Sequence, residues 1–380
     1  MKKGQEKNTI GILGNSRRAR KKREKENKKG PDTLGSFINK FALMLHDTYR
    51  LDYLTNKDIS RTSRKLMHVK NYSRINVGKS YLKLIPHDLY NLYRYCREEK
   101  PDIIMNHTHA FVQAPSIAIM GKLMGVRSIA RFSGSTFDMH RHEKGLMKVK
   151  AYIANKWYMR LMFLADRLLV LGNSQKEEAI RHGCRADKIW VIPQPPNEVD
   201  FKPPHSKRKA KEVLDLPTTK RCILWIGNLR GYKGVSTLIS LIKALDPEKY
   251  QVVVVGNDYE NNSERLKGYP HVRYEGKVDH GETIKYYHAA DLLVHTSYVE
   301  ASIPNVIWEA LACGVPCIGR DIRDINEVAY AVFSDDKELI HHVTKGKWMS
   351  SSTSKIPEKY RWDTLKRRYI SLFEDLMERR

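Results

Sequence analysis

Residues 222–256 read CILWIGNLRGYKGVSTLISLIKALDPEKYQVVVVG, in which a helical segment separates two short apolar runs. Apolar runs of this length, followed by glycine, are typical of strands that are buried on both faces of a parallel sheet. The segment between them has the periodicity of a helix that packs one face against such a sheet. The stretch therefore predicts a β-α-β unit, with strands over 222–227 and 251–256 and a helix over 233–245.

The same alternation continues on both sides of this unit. The other predicted strands cover residues 9–14, 50–55, 102–107, 127–132, 166–171, 188–193, 271–276, 291–296 and 316–319. A proline-rich break at 193–217 holds six of the fifteen prolines, and we expect it to link two domains. The expected fold class is α/β, with two doubly wound, Rossmann-like domains whose parallel sheets face a central cleft.

The composition excludes several classes of protein. With 41% hydrophobic and 29% charged residues, the chain of 380 residues is predicted to be globular. It has no apolar stretch of the length that a membrane-spanning helix requires, and the apolar run near residue 10 is too short for a signal peptide. The five cysteines lack zinc-site or disulfide spacing, so we expect reduced thiols in a cytoplasmic protein.

Positive charge is concentrated in the first half of the chain. Of a formal net charge of +25, residues 1–200 carry +20, from 39 Lys and Arg against 19 Asp and Glu. The densest basic stretch is the loop 16–29, and a basic, aromatic helix is predicted over 145–164. Such segments are either solvated surface or contacts to an anionic membrane surface or lipid-linked phosphate. Because no RNA-binding or DNA-binding motif accompanies the charge, no nucleic acid is expected as a partner.

The segment GNLRGYKG (227–234) lies between a predicted strand and a predicted helix. Its glycines permit close approach of a ligand to the backbone, and the helix start offers free N–H groups. Arg230 and Lys233 add positive charge. These features suit a diphosphate, although a glycine turn with a surface lysine is also common in proteins that bind none.

A second segment, SYVEASIPNVIWEALACGVPCIG (297–319), places Glu300 at the end of a strand and Pro304 at the first position of a helix. Glu309 lies one and a half turns into that helix, with small residues after it and no obvious basic partner. Such a carboxylate either binds a pair of sugar hydroxyls or pairs with a surface arginine on a closely packed helix.

Taken together, these segments resemble the retaining GT-B glycosyltransferases of family 4, the group 1 glycosyl transferases. The run Glu309-Ala-Leu-Ala-Cys-Gly314 is nearly identical to a helix of that family, and Pro304-Asn305-Val306 precedes it as in many members. Similarity to other family segments extends over 187–203, 275–300 and 360–377.

The resemblance implies an acceptor domain over 1–200, a nucleotide-sugar donor domain over 201–358 and a helix over 359–380 that crosses back to the first domain. It implies that Lys233 and loop amides bind the donor's diphosphate, that Glu309 binds its ribose, and that Glu300 binds the transferred sugar. The implied donor-binding set is Gly227, Asn228, Arg230, Lys233, Ile303, Pro304, Asn305, Val306 and Glu309. The catalytic candidates are Glu300, Ser133, Asp138 and His140, with Gly30 and Gly35 in an acceptor-side loop.

Three positions depart from the family pattern. Asn228 stands where the family has arginine, and Arg230 is a candidate to replace it. Eight residues separate Glu300 from Glu309 where the family has seven, so either the loop bulges by one residue or Glu300 does not bind the sugar. Ser133 stands where many members have a histidine.

We therefore expect a retaining hexosyltransferase that moves a hexose-type sugar from a nucleoside-diphosphate sugar to a carbohydrate or lipid-linked acceptor. The expected setting is cell-envelope glycan or glycolipid assembly, in the cytoplasm or at the inner face of the membrane. No cofactor or metal is expected, and no Asp-x-Asp metal motif occurs. The alternatives are an epimerase of the same fold, a non-catalytic homologue and a basic nucleic-acid-binding protein.

Overall fold

The computed structural model describes residues 7–14, 37–55, 61–72, 81–107, 112–133, 137, 149, 152–196, 200–350 and 356–378. The chain divides into two compact units. Unit 1 consists of Met1–Pro195 and Trp362–Arg380, and unit 2 is Pro196–Arg361. Within the described ranges, no helix combines the length and the apolar character that a membrane crossing needs.

Unit 1 contains a seven-stranded parallel sheet in the order β3-β2-β1-β4-β5-β6-β7. Its strands are β1 (Thr9–Leu13), β2 (Arg50–Leu54), β3 (His68–Lys70), β4 (Ile103–Asn106), β5 (Arg127–Phe132), β6 (Arg167–Val170) and β7 (Ile189–Val191). The strand order reverses at β1, which pairs with β2 on one side and with β4 on the other. Doubly wound sheets bind ligands beyond the carboxyl ends of the strands at such a reversal.

Unit 2 contains a six-stranded parallel sheet in the order β10-β9-β8-β11-β12-β13. Its strands are β8 (Arg221–Ile226), β9 (Tyr250–Val255), β10 (Val272–Gly276), β11 (Leu292–His295), β12 (Cys317–Arg320) and β13 (Ala331–Phe333). The order reverses between β8 and β11, which lie side by side with Leu292 paired to Ile223. The two strands predicted over 222–227 and 251–256 are confirmed as the neighbours β8 and β9.

Helices flank both sheets, as the alternating pattern predicts. The α-helices of the described residues are α1 (Phe37–Leu45), α2 (Arg61–Leu66), α3 (Tyr81–Glu99), α4 (Gln113–Met124), α5 (Asn173–Arg181), α6 (Lys207–Val213), α7 (Val235–Ala244), α8 (Ile284–Ala289), α9 (Asn305–Ala312), α10 (Asp336–Thr344) and α11 (Trp362–Glu378). The five cysteines are buried free thiols, which agrees with the reduced state expected from their spacing.

Two stretches agree with the expected place of a linker and of a helix but differ in local structure. The predicted linker at 193–217 contains helix α6, which begins after Ser206, whose side chain accepts a hydrogen bond from the amide of Lys209. Lys211 anchors this helix, because its buried Nζ lies 2.7 Å from Asp291. The segment predicted as a helix over 145–164 has π-helical geometry at Ala154–Tyr158 and 3₁₀ geometry at Met159–Leu164.

Helix α11 follows unit 2 in the sequence but packs into the core of unit 1. Phe373 is fully buried there, with its ring edge-on to Tyr49 at 5.2 Å and to Phe41 at 6.4 Å. An ion pair adds to this contact, because Arg167 at the start of β6 donates through Nε and Nη2 to Asp375, at 2.8 and 2.6 Å. The helix therefore completes the apolar core of unit 1.

Replacing Phe373 with alanine should lower the free energy of unfolding of unit 1 by about 3–5 kcal/mol, because a large buried ring leaves a cavity. Denaturant unfolding of the whole chain would measure the loss, with Glu374→Ala as the control, since Glu374 is exposed on the same helix. A loss below about 1 kcal/mol would contradict the buried packing of α11.

Candidate active site

A cavity of about 300 Å³ opens at the carboxyl ends of the central strands of unit 2. It lies where the strand order reverses, beyond the ends of β8, β9 and β11. Residues that line it are Trp225, Ile226, Gly227, Asn228, Lys233, Val255, Gly256, Asn257, Lys277, Val278, Thr283, His295, Glu300, Pro304 and Val306. Its position, and a mostly apolar lining that also presents a few charged and polar side chains, are those of a ligand site in a doubly wound fold.

The turn that follows β8 is bound tightly to the end of β11. Gly234 has a left-handed φ of 74°, and a Cβ atom there would lie 2.1 Å from the carbonyl oxygen of Thr296. The Thr296 hydroxyl donates to the carbonyl oxygen of Lys233 at 2.9 Å and accepts from Trp225 Nε1, also at 2.9 Å. Only glycine fits this approach, which sets Lys233 beside the loop after β11.

Lys233 and Glu300 meet in the cavity. Lys233 Nζ lies 2.5 Å from Glu300 Oε1, and Nε2 of His295 lies 3.3 Å from the same oxygen. Burial opposes ionisation of Glu300, but the contacts with His295 and Lys233 outweigh it, so the pKa of this carboxyl is lowered below its ordinary value. Glu300 therefore carries its charge at neutral pH and balances the Lys233 ammonium.

Glu309 is buried in α9, and the expectation that it lacks a basic partner is wrong. His280 Nε2 lies 2.8 Å from Oε1, and the Tyr287 hydroxyl donates to Oε2 at 2.9 Å. Burial and the Glu309 charge raise the pKa of Tyr287 well above its ordinary value, so Tyr287 stays a hydrogen-bond donor. The partner is thus a half-exposed histidine and a buried tyrosine instead of a surface arginine.

The other predicted donor-binding residues fall into two groups. Gly227, Asn228, Pro304 and Val306 line the cavity with Lys233 and Glu300. Four do not line it. Glu309 is buried in α9, and Ile303 packs into the apolar core. Asn305 is exposed as the first residue of α9, and Arg230 stacks its guanidinium 4.4 Å from the ring of Tyr259. Pro304 has an extended ψ of 150° and precedes α9, so its expected place inside the first turn is wrong.

Sequence reasoning missed His295, His280 and Tyr287. His295 is the last residue of β11, and a polar residue at the carboxyl end of a buried strand is the signal that could have identified it. His280 and Tyr287 precede Glu309 by 29 and 22 positions. Their contact depends on how α8 packs beside α9, which no local pattern reveals.

In unit 1, Ser133 follows β5 and is buried. Its hydroxyl accepts a hydrogen bond from Arg131 Nη1 at 2.8 Å, and the same nitrogen donates to the carbonyl oxygen of His107 at 2.6 Å. Burial lowers the pKa of the Arg131 guanidinium to about 10. Four other predicted positions and the basic loop 16–29 lie outside the described residues: Asp138, His140, Gly30 and Gly35.

Replacing Gly234 with alanine should destabilise unit 2 by at least about 2 kcal/mol, because it adds left-handed strain to a clash with Thr296. Gly268→Ala is the matched control, since a Cβ atom there meets nothing within 4 Å. Denaturant unfolding of both variants checks this, and equal stabilities would contradict the close approach.

Two family models match the chain. The model described as Glycosyltransferase Family 4 matches residues 46–197, and the model described as Glycosyl transferases group 1 matches residues 206–332. The first match contains strands β2 to β7, and the second contains β8 to β12.

Two curated relatives are similar over part of their length. TuaC from Bacillus subtilis, named for teichuronic acid biosynthesis, is 26% identical over 234 residues, which are 61% of this chain and 56% of TuaC. D-inositol 3-phosphate glycosyltransferase 2 from Catenulispora acidiphila is 29% identical over 175 residues, 42% of this chain and 40% of that enzyme. The chain spans about half the length of the curated relatives it matches.

Solved structures share the fold over nearly the whole chain. HepE from Anabaena, solved with UDP-glucose, has a TM-score of 0.68 at 16% identity, over 97% of this chain and 99% of HepE. WaaG, a glycosyltransferase involved in lipopolysaccharide biosynthesis, has a TM-score of 0.62 at 16% identity, again over 97% and 99%. The predicted fold class is confirmed. The chain therefore has the fold of HepE and WaaG, and its residues 46–197 and 206–332 are similar to the family 4 and group 1 glycosyltransferase models, in that order.

Proposed function

We propose that this protein transfers a hexose-type sugar from a nucleoside-diphosphate sugar to an acceptor, with retention at the anomeric carbon. The observation that carries the proposal is the meeting of Lys233, Glu300 and His295 in one cavity at the strand-order reversal of unit 2. A cation beside a buried, ionised carboxylate suits a ligand that joins a phosphate to a sugar. The complexes of HepE with UDP and with UDP-glucose support a donor of this class.

In the proposed complex, Lys233 binds the diphosphate. Without a ligand, its ammonium is balanced by Glu300, 2.5 Å away. A phosphate oxygen of the ligand then replaces Glu300 as the partner of the Lys233 ammonium, since a charge-assisted contact to phosphate is at least as strong as one to a carboxylate. Glu300 is then released to accept hydrogen bonds from hydroxyls of the transferred sugar, with His295 still within reach of its carboxylate.

Charge on the departing diphosphate is stabilised by fixed groups of unit 2. Helix α9 begins at Asn305, directly after the cavity residue Pro304, so its free N–H groups and positive dipole end lie close to the cavity. Asn228 supplies an amide where the family has an arginine. We propose that these groups and Lys233 stabilise the leaving group without a divalent metal. We also propose that Glu309 binds the ribose hydroxyls after its contact with His280 breaks.

Retention fits a front-face displacement. The bond from the anomeric carbon to the leaving phosphate oxygen breaks, the acceptor hydroxyl oxygen bonds to the same face, and its proton passes to that phosphate oxygen. Asp138 and His140 remain the candidates for contact with the acceptor, and Ser133 remains a catalytic candidate at the position of the family's histidine. We propose a carbohydrate or lipid-linked acceptor of cell-envelope assembly, because TuaC and WaaG are named for envelope polysaccharides.

A membrane surface is the further partner that we propose. Among the described residues 152–164, Trp157 is 71% exposed and Ile153 is 54% exposed. Lys156 and Arg160 are exposed beside them, and residues 145–164 contain no Asp or Glu. An apolar, aromatic surface bordered by cations suits the interface of an anionic membrane.

A thermal-shift panel of UDP, GDP, ADP, CMP and their common sugars tests the donor site. A ligand at about 100 times its dissociation constant adds roughly 2.7 kcal/mol, which raises the melting temperature by a few degrees. One nucleotide should stabilise the wild type and fail to stabilise Lys233→Ala. The matched control is Lys243→Ala, which removes an exposed lysine of α7 and should respond as the wild type does. Lack of any stabilisation would contradict the proposed donor site.

Vesicle sedimentation tests the membrane proposal. The double variant Ile153→Glu/Trp157→Glu should bind vesicles of phosphatidylglycerol and phosphatidylcholine about tenfold or more weakly, because it removes apolar contact and adds negative charge. Leu123→Glu is the control, since Leu123 is 72% exposed on α4. Equal sedimentation of the double variant and the wild type would exclude the 152–164 surface as the contact.

A further inference from the structure

The loop after β12 contains a strained backbone at Arg323. Its φ of 48° lies in the left-handed region, which side chains other than glycine, asparagine and aspartate rarely adopt. Asp324 follows with φ −22° and ψ 22°, also an unusual conformation. Strained backbone of this kind persists only where surrounding contacts hold it, and it is concentrated at functional sites.

The Arg323 side chain reaches the loop that carries Glu300. Its Nε donates to the carbonyl oxygen of Glu300 at 3.0 Å. Arg320, three residues earlier, donates from Nε to the carbonyl oxygen of Thr296 at 3.2 Å and stacks its guanidinium 4.1 Å from the ring of Tyr298. Two arginines therefore hold the segment 296–300 at its two ends, one at the end of β11 and the other at Glu300.

The loop that carries Glu300 has few regular backbone hydrogen bonds to hold it, so contacts from side chains such as Arg323 matter for its position. Eight residues separate Glu300 from Glu309, and α9 begins only at Asn305, so Glu300 lies in irregular backbone four residues before Pro304. Its carboxylate is held by His295 and Lys233, but a bound diphosphate would compete for Lys233. The hydrogen bond from Arg323 goes to the main-chain carbonyl oxygen of Glu300. It therefore does not depend on whether Lys233 contacts the Glu300 carboxylate or a phosphate.

We propose that Arg323 is a positioning residue, whose guanidinium fixes the main chain of Glu300 so that its carboxylate stays in the cavity when Lys233 turns to a phosphate. The inference rests on the proposed function for the role of Glu300. The left-handed φ of 48° at Arg323 serves this positioning, since it is the backbone geometry from which the side chain reaches Glu300.

Arg323→Gly is the informative variant, because glycine keeps the left-handed backbone without strain and removes only the side chain. Its melting temperature should stay within a few degrees of the wild type, because relief of the left-handed strain offsets part of the lost hydrogen bond. Hydrogen exchange in a peptide covering 297–304 should become at least about tenfold faster, as expected when a loop loses an anchoring hydrogen bond. Arg323→Lys should restore part of the protection, since an ammonium can still donate to a carbonyl oxygen.

Asp215→Gly is the matched control. Asp215 also has a left-handed φ, of 51°, in unit 2, and it is not among the residues that line the cavity. This variant should leave exchange in 297–304 unchanged. If Arg323→Gly also leaves that exchange unchanged, Arg323 does not position the loop and the inference is overturned.

Ligand binding separates this inference from the proposed function. By calorimetry, Arg323→Gly should bind UDP within about twofold of the wild type and lose about tenfold in affinity for UDP-glucose, because only the sugar contacts depend on Glu300. Equal losses for both ligands would assign Arg323 to the diphosphate and overturn the positioning role. A wild type that binds neither ligand would exclude a UDP-sugar as the donor, whereas the exchange result would still decide whether Arg323 holds the loop.

Discussion

The main chain at Gly234 passes so close to the carbonyl oxygen of Thr296 that a side chain would have no room there. This contact joins the turn after β8 to the end of β11 and brings Lys233 to Glu300, 67 positions later in the chain. Thr296 strengthens the junction by hydrogen bonding to both Trp225 and Lys233. The candidate site thus depends on the close approach of the backbone at two neighbouring strand ends. The pairing of Lys233 with Glu300 follows from that approach.

Both carboxylates of the candidate site, Glu300 in the cavity and the buried Glu309 of α9, have partners within the protein. Glu300 is neutralised by Lys233 and faces His295, while Glu309 accepts hydrogen bonds from Tyr287 and His280. Neither carboxylate is buried alone, which would be costly in a region that excludes water. An anionic ligand that bound Lys233 would take the place of Glu300 there, so the ammonium would keep a negatively charged partner.

The sequence predicts the parts of the fold that local patterns determine. The buried strand VVVV of β9 and the glycine turn at 227–234 are visible because strand burial and close approach leave compositional marks. Helix α6 was hidden by its proline-rich surroundings, and β3 by its exposed, polar sequence HVK. The partners of Glu309 could not be predicted, because they belong to other elements whose packing sets the contact.

The return of α11 to unit 1 makes unit 2 an insertion within the sequence of unit 1. During synthesis, Arg167 and Phe41 are made long before their partners Asp375 and Phe373. At 5–20 residues per second, roughly ten to forty seconds separate the end of the first part of unit 1 from the arrival of this helix. Unit 2 is contiguous and can fold as it emerges. Until α11 is made, the apolar residues of unit 1 that it covers lack this partner, so we expect them to be open to chaperones or to aggregation.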